Sequence, residues 1–501
     1  MRLSKFSKVA LVFACVALVL SAVLILVPTF SSEPNLPADA AISAASSFDK
    51  LSNGSKFYFT NPSANSSSTV TVSSSQPWGS QSNPFVINST SQWLLFANKI
   101  NANDSNFNSN KFFLLANDLD FANNSINPVG SSSSGFKGTL YGNKHSIKSF
   151  NFSSVYTANK TGTVRIGLFD RLVGAKIYDL TVKNPTITIT NSTNTNSAPY
   201  IGGLAVQCDS NTLLCNVSTT ITANRNDTTT TATTGSDMWG GLVAYATGGK
   251  FYKCQTYATF SSQHKVRGSG AAYIGGVAGS TGTGTLILQS CAIRVSITVG
   301  GHSALVGGVL GVSTGTLTNQ FSNLAINCNL YKKDLAGNTM SDINTGTYDS
   351  SCDWGSIIGW NGDVVYTDAT KSFYKNIYIT GNHAGQLCGT TGGPYCNFAL
   401  KSSNIYCNGA APSKTQWGAA LNDCKNYTNS GSDSAVAAKA NADTNISNYF
   451  TISSTGVPTS KLNAVGNIGL HRARQSALFY RSLLQICLYI NQVLFYLFFC
   501  G

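Results

Sequence analysis

Apolar and polar residues alternate with a period of two through much of the middle of the chain. The clearest run is 292–299, in which every second residue from Ile293 to Val299 is isoleucine or valine. This period predicts β-strands with one buried face.

Helical periodicity is clear only once between the two terminal hydrophobic segments. Trp93, Phe96, Ala97 and Ile100 stand at positions i, i+3, i+4 and i+7. They predict a short amphipathic helix that begins at an N-cap, Thr90 or Ser91, and that covers one end of the fold.

Two signatures recur six times in the same order. The first is an apolar residue followed directly by glycine, and it starts at Ile166, Ile201, Trp239, Ile274, Val306 and Trp354. Its first glycines are 35, 38, 35, 32 and 48 residues apart. The second is an apolar residue followed three positions later by a small or apolar one, and it starts at Ile177, Leu214, Phe251, Leu288, Phe321 and Phe373.

Each repeat is too short to bury its own apolar face, so the repeats must stack. Short strands without intervening helices predict an all-β fold, a β-solenoid whose rungs lie about 4.8 Å apart. The glycines suit corners that need either positive φ or close backbone approach. Cys254 and Cys291 are aligned, so we expect them to face inward on neighbouring rungs. We expect reduced thiols there, and a rung-to-rung disulfide is the alternative.

Composition supports this fold and argues against helical bundles and coiled coils. About 160 of the 501 residues are Ser, Thr or Asn, 46 are Gly, charged residues make up 11%, and Glu33 is the only glutamate. Good helix formers for a protein surface are therefore scarce. The lone glutamate also argues against acid-base catalysis.

The ends of the chain differ from its middle. Arg2, Lys5 and Lys8 precede an apolar run at 9–27, which predicts that residues 1–40 are either a secretory signal peptide or an N-terminal membrane anchor. Residues 467–501 are basic and then hydrophobic, either a C-terminal membrane segment or sequence read out of frame.

Between these ends we distinguish three parts. Residues 41–83 are rich in Ser and Asn and predict a flexible stalk with a first strand at 70–72. Residues 84–382 form the solenoid. Residues 383–466, with Cys388, Cys396, Cys407 and Cys424, are expected to be a disulfide-stapled module that covers the other end.

Segments within residues 84–382 carry a resemblance to a known motif. The segments GGLVAYATGGKFYKC (240–254) and GGVAGSTGTG (275–284) resemble the GLUG motif of bacterial surface proteins, adhesins and some secreted peptidases. Residues 84–87, 113–120 and 136–147 are similar to the module that often precedes it. The resemblance implies a right-handed parallel β-helix at a cell surface, and the chain departs from it in a Thr-rich insertion (219–236), in the 48-residue step and in the cysteine-containing end.

Candidate chemistry is sparse. Asp118 and Asp120 form a D-x-D pair that we interpret as structural, and three further acidic or charged pairs are expected in turns or on the surface, Asp170 with Arg171, Asp349 with Asp353 and Asp363 with Asp368. H-E-x-x-H and C-x-x-C motifs are absent, and we assign no catalytic, cofactor-binding or metal-ligating residue. The tyrosines at 252, 257, 374 and 378 are either glycan-binding platforms or stacked rung ladders.

The net charge of +13 includes three cations in the N-terminal segment and three in the tail, and the remainder shows no basic clusters. Nucleic acid is therefore not an expected partner. We predict a secreted or surface-anchored, non-enzymatic, adhesin-like solenoid that binds a glycan or a cell-surface protein. The alternative is a carbohydrate-active β-helix enzyme, a polysaccharide lyase or hydrolase.

Overall fold

The computed structural model describes residues 47–461 apart from 64–65, 132, 153–161, 190–196, 228–235, 265–270, 301–302, 314–316, 334–351, 362–371, 383–385, 392–401, 409–418 and 421–424. The expectations about the segments 1–40 and 467–501, and about Cys396 and Cys424, concern residues outside these ranges. Within them, no helix has the length and apolar character needed to cross a membrane.

The N-terminal part supplies a hairpin, one helix and the first strands of the solenoid. Its elements are β1 (Lys56–Thr60), β2 (Ser67–Thr71), β3 (Phe85–Ile87), α1 (Thr90–Asn101), β4 (Phe112–Leu115), β5 (Leu119–Ser125), β6 (Thr139–Tyr141) and β7 (Ser146–Asn151). The predicted helix is confirmed: Trp93, Phe96, Ala97 and Ile100 are buried in the core. Its N-cap is Ser89, whose side chain accepts a hydrogen bond from the Gln92 N–H.

Six successive coils then each contribute strands to three parallel sheets, which we call sheets I, II and III in the order in which each coil runs through them. The coils comprise β8 (Gly162–Ile166), β9 (Phe169–Leu172) and β10 (Lys176–Ile189); β11 (Ser197–Gly202), β12 (Ala205–Cys208) and β13 (Leu213–Asp227); β14 (Asp237–Gly240), β15 (Val243–Ala246), β16 (Gly249–Tyr252) and β17 (Gln255–His264); β18 (Ala271–Gly275), β19 (Ala278–Thr281) and β20 (Gly284–Gly300); β21 (Ser303–Gly307), β22 (Leu310–Ser313) and β23 (Leu317–Lys333); and β24 (Cys352–Gly355), β25 (Ile358–Asn361) and β26 (Phe373–Thr380). The parallel β-solenoid predicted from the repeats is confirmed.

The inward side chains form one continuous core because equivalent residues of neighbouring coils pair in register. In sheet I the first residues of the six first signatures form a column in which each is buried and pairs with its equivalent in the next coil. The column comprises Ile166, Ile201, Trp239, Ile274, Val306 and Trp354. The alternation around Ile293 places Ile293, Val295 and Ile297 inward in β20. The period of two therefore specifies the inner face of each long strand.

The glycine pairs lie at the corners between sheets I and II, where neighbouring coils approach closely. A Cβ added to Gly203, Gly241 or Gly276 would lie 2.0–2.2 Å from a carbonyl oxygen of the next coil. None of these glycines has a positive φ. Of the two reasons offered by the sequence, close backbone approach is therefore the one that applies.

The second signature marks a bend in the long strands of sheet III. Its third residue has φ between 49° and 57° in each of the six coils, and the column comprises Asp179, Asn216, Lys253, Ser290, Asn323 and Asn376. We call this column the bend ladder. The pairing aligns Phe321 with Tyr374, so the sixth signature begins at Tyr374 and not at Phe373 as predicted.

The segment predicted to be a flexible stalk is folded where the structure describes it. β1 and β2 form an antiparallel hairpin, which includes part of the strand expected at 70–72. Phe57 and Val72 pack with Tyr141, Tyr178 and Cys215 on the outer face of sheet III. A few large apolar side chains thus give this polar segment enough buried surface to dock.

The described residues of the C-terminal module extend the solenoid and then pack on its outer face. The coils continue past residue 382 through β27 (Gln386–Thr391), β28 (Ser402–Cys407), β29 (Ala419–Ala420) and β30 (Lys425–Asn429), and β28 and β30 extend sheet III. The chain then turns back through α2 (Asp433–Ala442), α3 (Thr444–Ser447), β31 (Phe450–Ile452) and β32 (Pro458–Ser460). This C-terminal unit buries Val436, Ala440 and Phe450 against Ala292 and Ala325, on the outer face of sheet III.

The described cysteines behave as small core residues. Cys208, Cys215, Cys254, Cys291 and Cys328 are buried free thiols. Cys254 and Cys291 occupy equivalent positions in neighbouring coils, as predicted, and both contribute to the core. Burial raises the pKa of the Cys254 thiol well above its ordinary value, so the inert thiol form is the stable one.

Candidate functional site

Asp118 and Asp120 are each engaged in local structure. The Asp118 carboxylate accepts a hydrogen bond from the Ser146 N–H at 2.8 Å and lies 3.3 Å from His145 Nδ1. The Asp120 carboxylate accepts one from the Ala122 N–H, which lowers its pKa, and forms an ion pair with Lys148 at 3.3 Å. Both carboxylates secure the turns between neighbouring strands, in agreement with their structural interpretation.

Among the other flagged acids, Asp170 has an ion-pair partner that the structure describes. Asp170 pairs with Arg165 of the same coil and not with its neighbour Arg171. Asp349, Asp363 and Asp368 lie outside the described ranges. Within those ranges no group of three or more His, Cys, Asp and Glu side chains is placed to hold a metal ion.

The four tyrosines considered as glycan platforms are largely covered. Tyr374 is fully buried in the core and Tyr378 is buried beneath the C-terminal unit, where its hydroxyl donates to Asp443. Tyr378 also stacks on Tyr406 with ring centroids 5.0 Å apart, which is a rung ladder. The Tyr257 hydroxyl donates to the Pro458 carbonyl, and Tyr252 packs beside the cluster under the hairpin.

The bend ladder contains a buried carboxylate that sequence reasoning did not single out. Asp179 is 1% exposed and accepts hydrogen bonds from the Thr60 N–H, the Thr60 hydroxyl and the Asn216 side-chain amide. Burial raises the pKa of Asp179, and the hydrogen bonds from Thr60 and Asn216 oppose that rise. Thr60 ends β1, so this carboxylate holds the N-terminal hairpin on the solenoid.

The N-terminal and C-terminal segments meet at Lys253, two rungs beyond Asp179 in the bend ladder. Lys253 Nζ donates to the Asn61 carbonyl at 2.8 Å and lies 4.6 Å from the ring centroid of Tyr449 in the C-terminal unit. The outer face of sheet III is therefore covered from both ends of the chain.

An aromatic pocket is present at the N-terminal end of the solenoid, beside β3 and α1. Four rings contribute to its wall, those of Phe48, Trp78, Phe85 and Phe107, and its volume is about 300 Å³. Phe85 contacts the other three, with ring centroids 5.1 Å away for Phe48 and Phe107 and 6.2 Å away for Trp78. Only Phe85 is fully a core residue, and the other three are partly exposed.

Local backbone bonds explain how this pocket is built. The Asp49 N–H donates to the Val86 carbonyl, which fixes Phe48 beside β3. The Asn83 side-chain amide donates to the Gln76 carbonyl at 2.7 Å and ties the loop that carries Trp78. The rings of Phe48 and Trp78 are therefore positioned by nearby hydrogen bonds as well as by their own packing.

Two lysines lie at the rim of the pocket. Lys50 Nζ is 4.5 Å from the Trp78 ring centroid, and Lys99 Nζ is 5.1 Å from that of Phe107. Lys99 also forms an ion pair with Asp104 at 3.4 Å. The Asn106 N–H that donates to Asp104 lowers the pKa of this carboxyl, and Lys99 adds to that effect.

Sequence reasoning missed this site because it assigned Phe48 and Trp78 to a stalk and left Phe107 without an interpretation. The available signal was the presence of large aromatic residues in a segment that is otherwise rich in Ser and Asn.

The comparisons with known proteins supply no family. No protein-family model matches the chain, and no curated protein matches it. A solved structure described as "a putative immunoglobulin A1 protease from Bacteroides ovatus" has a TM-score of 0.42 and 14% sequence identity, over 77% of this chain and 94% of that one. A similarity of this degree supports no argument about activity.

Proposed function

We propose that the chain is a secreted or surface-anchored, adhesin-like solenoid of the GLUG type that binds a glycan or a surface protein without transforming it. The single observation that carries the proposal is the aromatic pocket. The pocket combines partly exposed aromatic rings with two lysines at the N-terminal end of the solenoid, so it is suited to hold a ligand there.

A glycan is the ligand that this wall favours. The C–H groups on one side of a pyranose ring carry partial positive charge, and the faces of Trp and Phe rings carry partial negative charge. Four of the residues that line the pocket are aromatic. Stacking on Trp78 and Phe107 would therefore bind a sugar through its apolar side.

The composition of the same wall supports binding without hydrolysis. Its described lining residues include two lysines and one serine, but no carboxylate, histidine or cysteine. Hydrolysis by a glycosidase normally requires two carboxylates that flank the scissile bond. Asp104 does not line the pocket and forms an ion pair with the rim lysine Lys99.

A glycan array tests the proposal. We expect the wild-type protein to bind a defined subset of glycans, and the variants Trp78→Ala and Phe107→Ala to lose that binding while keeping the β-sheet circular dichroism. Tyr427→Ala is the matched control, because Tyr427 is 44% exposed and lies in β30 at the other end of the solenoid. Release of reducing or unsaturated sugars from the bound glycans would contradict the proposal and favour the enzyme.

A further inference from the structure

We infer that the aromatic pocket recognises a carboxylated sugar as the terminal residue of its glycan. This inference rests on the proposed function and adds the class of ligand. The observation behind it is the placement of two ammonium groups, those of Lys50 and Lys99, over the aromatic wall.

The charges around the pocket leave room for an anion. The acids closest in sequence to the two lysines are Asp49 and Asp104, and neither lines the pocket. The Asp49 carboxylate accepts a hydrogen bond from the Asn88 side chain, and Asp104 pairs with Lys99 and with the Asn106 N–H. The wall itself therefore offers cations without a carboxylate among its described residues.

The lysines can move from the rings to a ligand. Lys50 is exposed, and the side chain of Lys99 is 40% exposed. A cation over an exposed ring is held less strongly than one in a charge-assisted hydrogen bond to a carboxylate. An arriving carboxylate would draw the Lys50 ammonium to itself and would share the Lys99 ammonium, which has three N–H donors, with Asp104. Both movements free the faces of Trp78 and Phe107 for the sugar ring.

The size of the pocket indicates a terminal residue and not the interior of a polysaccharide. A volume of about 300 Å³ is at the lower end of the range for sites that enclose small molecules. It accommodates one monosaccharide. A chain that continued on both sides would need a groove that runs through the site.

Binding of small glycosides tests the inference. The probes are the methyl glycosides of glucuronic acid and of N-acetylneuraminic acid, which distinguish the two common kinds of carboxylated sugar, and methyl glucoside as the neutral parent. We expect at least one acidic probe to bind, methyl glucoside to bind at least about tenfold more weakly, and added salt to weaken the acidic complex.

Variants identify the groups responsible. Lys50→Gln and Lys99→Gln are each expected to weaken the acidic complex about tenfold, while Lys183→Gln, the same charge change at an exposed position of β10, leaves it unchanged. Trp78→Ala is expected to abolish binding of every probe.

The possible results separate the two proposals. Equal binding of acidic and neutral probes that is insensitive to the lysine variants but lost in Trp78→Ala would overturn the acidic-sugar inference and leave the glycan-binding proposal standing. Failure of all sugars, on the array and as glycosides, would overturn both the acidic-sugar inference and the choice of a glycan as the ligand.

Discussion

Replacing Gly241 by alanine tests whether the paired glycines are required for close approach between coils. A Cβ at this position would lie 2.0 Å from the Gly276 carbonyl oxygen and 2.9 Å from the Thr256 hydroxyl oxygen. A carbonyl belongs to the backbone and cannot rotate away as a side chain does. The two coils would therefore have to separate by about 1 Å at this corner.

The expected cost follows from the bonds that this separation strains. The Gly241 N–H donates to the Gly275 carbonyl at 3.2 Å, and the Leu242 N–H donates to the Val277 carbonyl at 3.0 Å. Each hydrogen bond contributes about 1 kcal/mol, and overpacking itself costs about 1–3 kcal/mol. We expect Gly241→Ala to lower the free energy of unfolding by about 3 kcal/mol.

Urea denaturation followed by circular dichroism measures this change, with Gly300→Ala as the matched control. A Cβ at Gly300 would meet its nearest atom, the Lys333 carbonyl oxygen, at 3.0 Å, and Gly300 lies at the end of β20. The control should cost less than about 1 kcal/mol. If the two variants lose the same stability, close approach is not the reason for the paired glycines.

Three further predictions concern buried polar groups. Because burial raises the folded-state pKa of Asp179, its contribution to hairpin docking is fully present below about pH 4 and is lost as the pH rises through the folded pKa. The free energy of opening of β1, measured by hydrogen exchange, should therefore fall as the pH rises, and Asp179→Asn should remove this pH dependence. Arg225 and Asp237 form a fully buried ion pair, so Arg225→Met should cost about 3–5 kcal/mol in urea denaturation, and adding Asp237→Leu should recover most of that loss. Cys254 and Cys291 are buried thiols, so a thiol reagent at neutral pH should modify them only after unfolding, whereas a rung-to-rung disulfide would leave both unreactive even then.

The repeated part of the fold was predictable because its stabilising contacts recur in the sequence. Each inward residue of sheet I pairs with its equivalent one coil away, so one local pattern, repeated, specifies both the strand and its neighbour. The Trp93 helix was predictable for a similar reason, since its apolar stripe is a local property. The error at Phe373 arose at the longest step between repeats, where spacing no longer fixes the register.

By itself, the sequence determined the stacked strands, their inner faces and the places of the glycine corners, and the structure decided that close approach is the reason for the paired glycines. The tertiary structure alone decided what covers the outer face of sheet III and which side chains meet at its N-terminal end. Lys253 contacts Asn61 and Tyr449, and Phe48 meets Phe107, across sequence separations that no period marks. Docking of a unique segment depends on shape and charge complementarity with a distant surface, and this information is absent from a local pattern of apolar and polar residues.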